Sequence, residues 1–176
     1  MRVYVASSWR NERQPVIVAR LRKAGHLVYD FRNPADGDHG FHWSDIDPEW
    51  KSWGARAFRK GLQHVVAVDG FGKDMAALRW AEVCVLVLPC GRSAHLEAGF
   101  AVGNGARTFV LLDEAPEPEL MYRMMTVCLD IEEVVDALKA PKPEVAALAA
   151  AHQWLPSGSE MAEPLGCDGA AEDDRE

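Results

Sequence analysis

Short apolar runs alternate along the chain with stretches whose apolar positions recur at helical spacing. Residues 3–6 form a β-rich apolar run. Polar Ser7, Ser8 and Asn11 follow, and apolar residues then recur at Val16, Ala19, Leu21 and Ala24 up to Gly25. That order predicts strand, loop, helix and a glycine stop. Residues 26–30 predict a second strand. Residues 31–53 collect proline, glycine, acidic, histidine and aromatic side chains, and predict a long loop of the kind that often carries function. Residues 55–64 and 73–80 have helical composition and predict two helices divided at Asp69-Gly70-Phe71-Gly72.

The continuous run Val83-Cys-Val-Leu-Val-Leu88 suits a central parallel strand covered on both faces. A turn over 89–93, a short helix over 94–102 closed by Gly103-Asn-Gly105, and a strand over 108–112 come next. Residues 117–125 predict a helix, 127–129 an extended segment and 131–138 a further helix. About five strands in a βαβ rhythm predict an α/β fold, a doubly wound, flavodoxin-like or Rossmann-like parallel sheet flanked by helices. Residues 1–140 then form one domain, 141–155 contain a last alanine-rich helix, and 156–176 read as a disordered acidic tail with few core candidates.

At 176 residues, 48% hydrophobic and 26% charged, the chain has the material for one ordinary core and not for two. The formal net charge of −8 and the lack of a Lys/Arg cluster argue against long nucleic acid as a partner. No run approaches the roughly 18 apolar residues of a membrane span, and the N-terminus lacks the apolar core of a secretory signal, so the expected address is the cytoplasm. The cysteines at 84, 90, 128 and 167 lack the paired close spacing of a zinc site and read as buried or free thiols. Neither a cofactor nor a metal is expected. His39, His42, Asp45 and Asp47 share a loop, but without a helical i, i+4 pair they make a poor metal site.

Ligands of an open α/β sheet bind beyond the carboxyl ends of its strands, which turns attention to Pro89-Cys-Gly-Arg-Ser-Ala-His-Leu-Glu97. Gly91 permits a close backbone approach and Ser93 stands where an N-cap would. The helix start offers free N–H groups and a positive dipole end to an anion. Glu97 lies about one turn into the helix among Leu96, Ala98, Gly99 and Phe100, so its carboxylate emerges from apolar surroundings. The same spacing fits a capping glutamate paired with Ser93 or Arg92. His95, two residues away, points to a different face.

The opening Val3-Tyr-Val-Ala-Ser7, Gly25 before the second strand, Asp74 ahead of Glu82, and Glu97-Ala-Gly-Phe-Ala-Val-Gly-Asn-Gly105 between two strands form one pattern. Over most of residues 1–140 it resembles the nucleoside 2-deoxyribosyltransferase family. The resemblance implies that Glu97 attacks the anomeric carbon of a deoxyribose, that Asp74 holds or protonates the leaving group, and that Tyr4 orients Glu97. The chemistry agrees: breaking an N-glycosidic bond develops positive charge on the sugar, which a carboxylate can stabilise or trap, while a second carboxyl assists the departing base.

The chain also departs from that family, which usually carries an aspartate six residues before the nucleophile, where this sequence has Gly91. A related branch, the deoxynucleoside 5′-monophosphate N-glycosidases, sets a serine and a helix N-terminus against a 5′-phosphate; Ser7, Arg92 and Ser93 are the matching candidates here. Phe41 and Trp43 of the long loop are candidates to stack on a nucleobase, with inward packing as their alternative. Residues 121–125 read as core or interface, and the resemblance implies a homo-oligomer in which a neighbouring subunit's residues from this region help close the site. Ser93 as a plain cap, Arg92 as a surface cation, Asp74 as an N-cap and Glu82 as a structural residue stay open. Three functions remain in play: an enzyme acting at the N-glycosidic bond of a nucleoside or its 5′-monophosphate, a non-catalytic nucleotide-binding module, and an NAD-glycohydrolase-like enzyme.

Overall fold

Five parallel strands form one sheet in the order β2-β1-β3-β4-β5. They are β1 (Arg2–Ala6), β2 (Leu27–Tyr29), β3 (Val83–Val87), β4 (Arg107–Leu111) and β5 (Thr126–Cys128). Helices α1 (Arg13–Lys23), α2 (Ala55–Gly61), α3 (Val65–Trp80), α4 (Arg92–Gly103) and α5 (Ile131–Lys139) complete the doubly wound, flavodoxin-like α/β fold expected from the sequence. This computed structural model describes residues 1–35, 37–114 and 117–140; the helix expected within 141–155 and the tail expected over 156–176 lie outside the described residues.

Successive side chains of a strand point to opposite faces, and here each face has its own core. Val3, Val5, Val83, Val85, Val87, Phe109 and Leu111 pack with α1 and α5, whereas Tyr4, Ala6, Cys84, Leu86 and Val110 pack with α3 and α4. β3 is buried along its whole length, as its uninterrupted apolar run requires. Leu21 and Leu78 are essentially fully buried, each contributing on the order of 2 kcal/mol of transfer free energy. On α4 the sheet-facing positions are Ala94, Ala98 and Ala101, small enough to bring that helix close to the strands. Asp130 caps α5 by accepting from the N–H groups of Glu132 and Glu133 at 2.8 and 3.0 Å.

The chain leaves β1 towards one face and β3 towards the other, so a crevice opens between their carboxyl ends. Its floor is tied by side chains. The Ser7 hydroxyl donates to Val87 O at 2.9 Å, and the Asn11 amide reaches Ser7 Oγ at 3.0 Å, Val87 O at 3.1 Å and Pro89 O at 3.2 Å. Arg13 adds bonds to Leu88 O at 3.0 Å and Leu112 O at 2.9 Å, joining the ends of β3 and β4.

Three expected elements take a different form. Asp69-Gly70-Phe71-Gly72 does not divide two helices but runs inside the single helix α3, while the break falls at 62–64, where the His64 ring accepts from Val66 N and caps the new helix. Tertiary contact overrides the weak helix propensity of the two glycines, because Phe41 packs directly on Gly70. Asp74 is consequently not an N-cap; it sits well inside α3. The helix expected over 117–125 reduces to a 3₁₀ turn at Leu120–Met124, opened by Glu119 accepting from Met121 N at 2.9 Å.

Candidate active site

Tyr4 on β1 is in register with Tyr29 on β2, so both side chains leave the sheet on the α3/α4 face. Their rings stack with centroids 5.3 Å apart and planes 17° from parallel. Above them two helices each present one carboxyl. Asp74 stands on the buried side of α3, one turn before Ala77 and Leu78, and Glu97 stands beside the buried Ala94 and Ala98 of α4. The Tyr29 hydroxyl donates to Asp74 Oδ1 at 2.9 Å.

Burial governs the electrostatics of this group. It pushes Glu97 up to about 7, the nearby Asp74 charge pushes the same way, and the Tyr4 hydroxyl pulls back. Asp74 is also raised by burial, against the opposing pull of its bond from Tyr29. Tyr4, fully buried, is raised by burial and by the charge of Glu97, so it stays a phenol; its hydroxyl faces Glu97 without a completed hydrogen bond. Cys84 in the floor and Cys90 in the wall are held as thiols, the latter pushed up to about 12 by burial and by Glu97. Neither thiol is a nucleophile near neutral pH, since thiolate is the reactive form. The alternative of Glu97 as a capping residue is not met: no bond joins it to Ser93 or Arg92, and the N-cap of α4 is Gly91.

That N-cap also corrects the reading of Ser93. The chain enters the helix two residues earlier than expected, so Arg92 is the first helical residue and Ser93 lies exposed on the first turn without a capping bond. Gly91 is extended at φ −95°, and a Cβ there would meet open space. Ser7 sits at the end of β1 with its hydroxyl proton committed to Val87 O. His95 turns away from Glu97: its Nδ1 lies 3.0 Å from Gly91 O and its Nε2 2.9 Å from the Tyr122 hydroxyl. A carbonyl only accepts, so the neutral ring is the Nδ1–H tautomer, with Nε2 accepting from Tyr122. This pair fixes the start of α4 against the 3₁₀ turn at Leu120–Met124.

The long loop is docked on two sides. Against the β1–α1 connection, Trp9 meets Phe31 at 5.2 Å and His42 at 4.2 Å, and the Arg32 guanidinium donates to Ser8 O, Trp9 O and Asn11 O, each at 2.9 Å. Against α3, Phe41 packs on Gly70, and Asp38 pairs with Lys73 at 2.9 Å. Gly70 and Asp74 are i and i+4 on that helix, so Phe41 stands one turn from the Asp74 carboxyl on the same face. Trp43 is a layer further out, edge-on to Phe41 at 4.8 Å and packed on Trp53 and Phe58. Asp47 accepts from Trp53 Nε1 at 2.6 Å. Among the described residues no group of three or more His, Cys, Asp or Glu is placed to hold a metal ion.

Tyr29, Asn11 and Arg32 were not singled out by the sequence pattern. Only the strand register could have marked Tyr29, because it becomes a partner of Tyr4 once β2 is laid beside β1.

Among solved structures, the chain is similar to the 2-deoxyribosyltransferase of the psychrotolerant bacterium Bacillus psychrosaccharolyticus, with 19% identity and a TM-score of 0.53 over 81% of this chain and 98% of that one. It also aligns with a CMP N-glycosidase of Clostridium botulinum, with 14% identity and a TM-score of 0.43 over 80% of this chain and 100% of that one. No protein-family model matches the sequence, and no curated protein matches it. The first likeness establishes a shared fold, the level at which the family resemblance in the sequence is met. Among the described residues no helix is long and apolar enough to cross a membrane.

Proposed function

We propose that this chain is an enzyme that breaks the N-glycosidic bond of a deoxynucleoside or its 5′-monophosphate and passes the sugar to water or to a second base. The observation that carries this reading is the pair of carboxyls on facing helices, Glu97 and Asp74, buried together over Tyr4 and Tyr29. A carboxylate raised to about 7 is a poor surface anion but a good partner for a developing cation, because burial removes the water that would otherwise screen it.

As the C–N bond breaks, the electron pair leaves with the base and the anomeric carbon becomes electron-poor. The pair reacts with one proton between its two carboxyls, in the form that carries it on Asp74: the ionised Glu97 carboxylate forms a bond to that carbon, and Asp74 gives its proton to the departing base. Water, or the nitrogen of a second base, then attacks the same carbon. Its proton goes to Asp74 and the carbon–oxygen bond to Glu97 breaks, restoring both groups. Tyr4, held as a phenol, orients the attacking carboxylate. Phe41, one turn from Asp74 on the face of α3, is the aromatic surface offered to the base, with Trp43 backing it. Gly91, Arg92, Ser93 and Ser7 lie around the start of α4 and the end of β1, where a 5′-phosphate would meet free N–H groups and a positive charge.

The test is incubation with deoxynucleosides, their 5′-monophosphates, ribonucleosides and NAD, with and without a free acceptor base, followed by chromatography of released bases. Base release or exchange that falls by several orders of magnitude in Glu97→Ala supports the reading. Release only from NAD replaces it with nicotinamide–ribose cleavage. Silence across the panel, with binding of a nucleotide retained in Glu97→Ala, replaces it with a binding module, the alternative favoured by the missing side chain at Gly91.

A further inference from the structure

The carboxyl pair leaves one question of proton geometry. A carboxyl that delivers a proton to a base must carry it on the oxygen that faces the base. Asp74 has two oxygens, and one of them, Oδ1, is occupied by the Tyr29 hydroxyl at 2.9 Å. Tyr29 is itself held in place. Its strand position is in register with Tyr4, and its ring lies flat on the Tyr4 ring at 5.3 Å. The hydroxyl therefore reaches Asp74 from a rigid platform and not from a mobile arm.

We propose that Tyr29 is a positioning residue for the reaction: by donating to Oδ1 of Asp74 it fixes the carboxyl plane and leaves Oδ2 as the oxygen that carries and delivers the proton. The inference rests on the reading of Asp74 as the acid at this site. Four charged or titratable groups bear on it from the elements packed there. Glu97 faces Asp74 from α4, and Tyr4 lies beside both carboxyls on β1. Asp38, in the long loop, acts on Tyr29, while Lys73 on α3 is held between Asp38 and Asp69 at 2.9 Å each and does not pair with Asp74.

Removal of the donor has a defined sign. A hydrogen bond to the ionised form favours that form, so Asp74 without it keeps its proton to higher pH. A neutral Asp74 no longer repels the charge on Glu97, which then ionises at lower pH. Asp74, whose charge already acts on Glu97, loses its proton first, so its rising midpoint and the falling midpoint of Glu97 approach each other, and both limbs of a bell-shaped rate profile move inwards. A residue that merely filled space would lower the rate or the stability without moving either limb.

The experiment is a carboxyl-carbon NMR titration of protein labelled at Asp and Glu, in wild type and Tyr29→Phe, with Asp74→Asn and Glu97→Gln used to assign the two signals. Phenylalanine keeps the ring stack and removes only the hydroxyl. The expected result is an Asp74 midpoint raised by about one pH unit, a tenfold gain in proton affinity, with the Glu97 midpoint lowered. Base release should show kcat reduced about tenfold, with KM little changed and both pH limbs displaced. An Asp74 midpoint unmoved in folded Tyr29→Phe overturns the proposal. If that variant does not fold, 3-fluorotyrosine at position 29 preserves the shape and strengthens the donor, and the Asp74 midpoint must then fall; an unmoved midpoint overturns the proposal here as well. The titration needs no substrate, so a protein that releases no base but shows the shift loses the glycosidic reading and keeps the Tyr29–Asp74 coupling.

Discussion

Tyr4 and Tyr29 stack at 5.3 Å, and each stands beneath one of the two carboxyls, Tyr4 facing Glu97 and Tyr29 bonded to Asp74. The stack thus sets the spacing of the carboxyl pair from below, while α3 and α4 set it from above. Because the pair reacts with one proton between its two carboxyls and Glu97 is held at about 7 by burial and by the Asp74 charge, activity should fall with rising pH along an alkaline limb whose midpoint lies near 7. An ordinary exposed glutamate would give a midpoint more than two units lower. The dependence of kcat/KM on pH, measured between 5 and 9, checks this directly; a rate still rising above pH 8 would show that the pair does not react with a shared proton.

The same burial has a cost in stability, and its sign follows from linkage. The folded state binds the Glu97 proton more tightly than the unfolded state, so between about 4.5 and 7 the folded chain carries more protons, and stability falls as pH rises through that window. Glu97→Gln removes the ionisation while keeping the shape. It should stabilise the protein by about 2 kcal/mol at pH 8, with the gain fading towards pH 5. Urea unfolding at the two pH values decides it, and a variant less stable than wild type at pH 8 would mean that the charged carboxylate is well paired.

The fold was legible because its signals are periodic. The all-apolar run at Val83–Val87 suits a buried central strand, and the alternation of strands and helices around it suits a sheet wound on both faces. Glu97 and Asp74 were picked out through a resemblance to the transferases, and the fold brings their two carboxyls over one tyrosine stack. What stayed hidden depends on contacts between distant segments. Asp74 kept an N-cap as its alternative because two glycines at 70 and 72 suggest a break, and nothing local says that Phe41 will occupy the space beside Gly70. Tyr29 looked like any strand aromatic until β2 paired with β1. Ser93 had the chemistry of a cap but not the position, since the helix begins at Arg92.

Gly40 should be the least replaceable glycine of the loop. Its φ of +72° suits a residue without a Cβ, and a Cβ there would stand 2.2 Å from Phe31 O and 3.0 Å from Trp9 Cζ2. Gly25 also has a positive φ, +87°, but open space around it. Gly40→Ala should therefore cost about 3 kcal/mol, combining backbone strain with a backbone clash, whereas Gly25→Ala should cost about 1 kcal/mol from strain alone. Urea midpoints of the two variants compare them. Equal costs would show that the loop moves freely off Trp9, and the roof over the β1–α1 connection would lose its support.

Gly91 poses the opposite case. Its backbone, at φ −95° and ψ −175°, is one that any residue adopts, and a Cβ would meet nothing within 4 Å. Glycine is thus not there for steric reasons, and the aspartate that the resembled transferases carry at this place fits the fold. As the N-cap of α4 it would accept from free N–H groups and complement the helix dipole, so Gly91→Asp should leave stability unchanged or raise it by a few tenths of a kcal/mol. Its functional effect should be larger than its structural one. A new carboxylate four residues from His95 and six from Glu97 adds negative charge at the helix end proposed to receive a 5′-phosphate. Turnover of 5′-monophosphates should fall relative to that of unphosphorylated nucleosides, because the anion would meet a like charge in place of an open turn. Relative kcat/KM for a deoxynucleoside and its 5′-monophosphate, in wild type and Gly91→Asp, measures that shift; an unchanged ratio would place the phosphate elsewhere, or show that the substrate carries none.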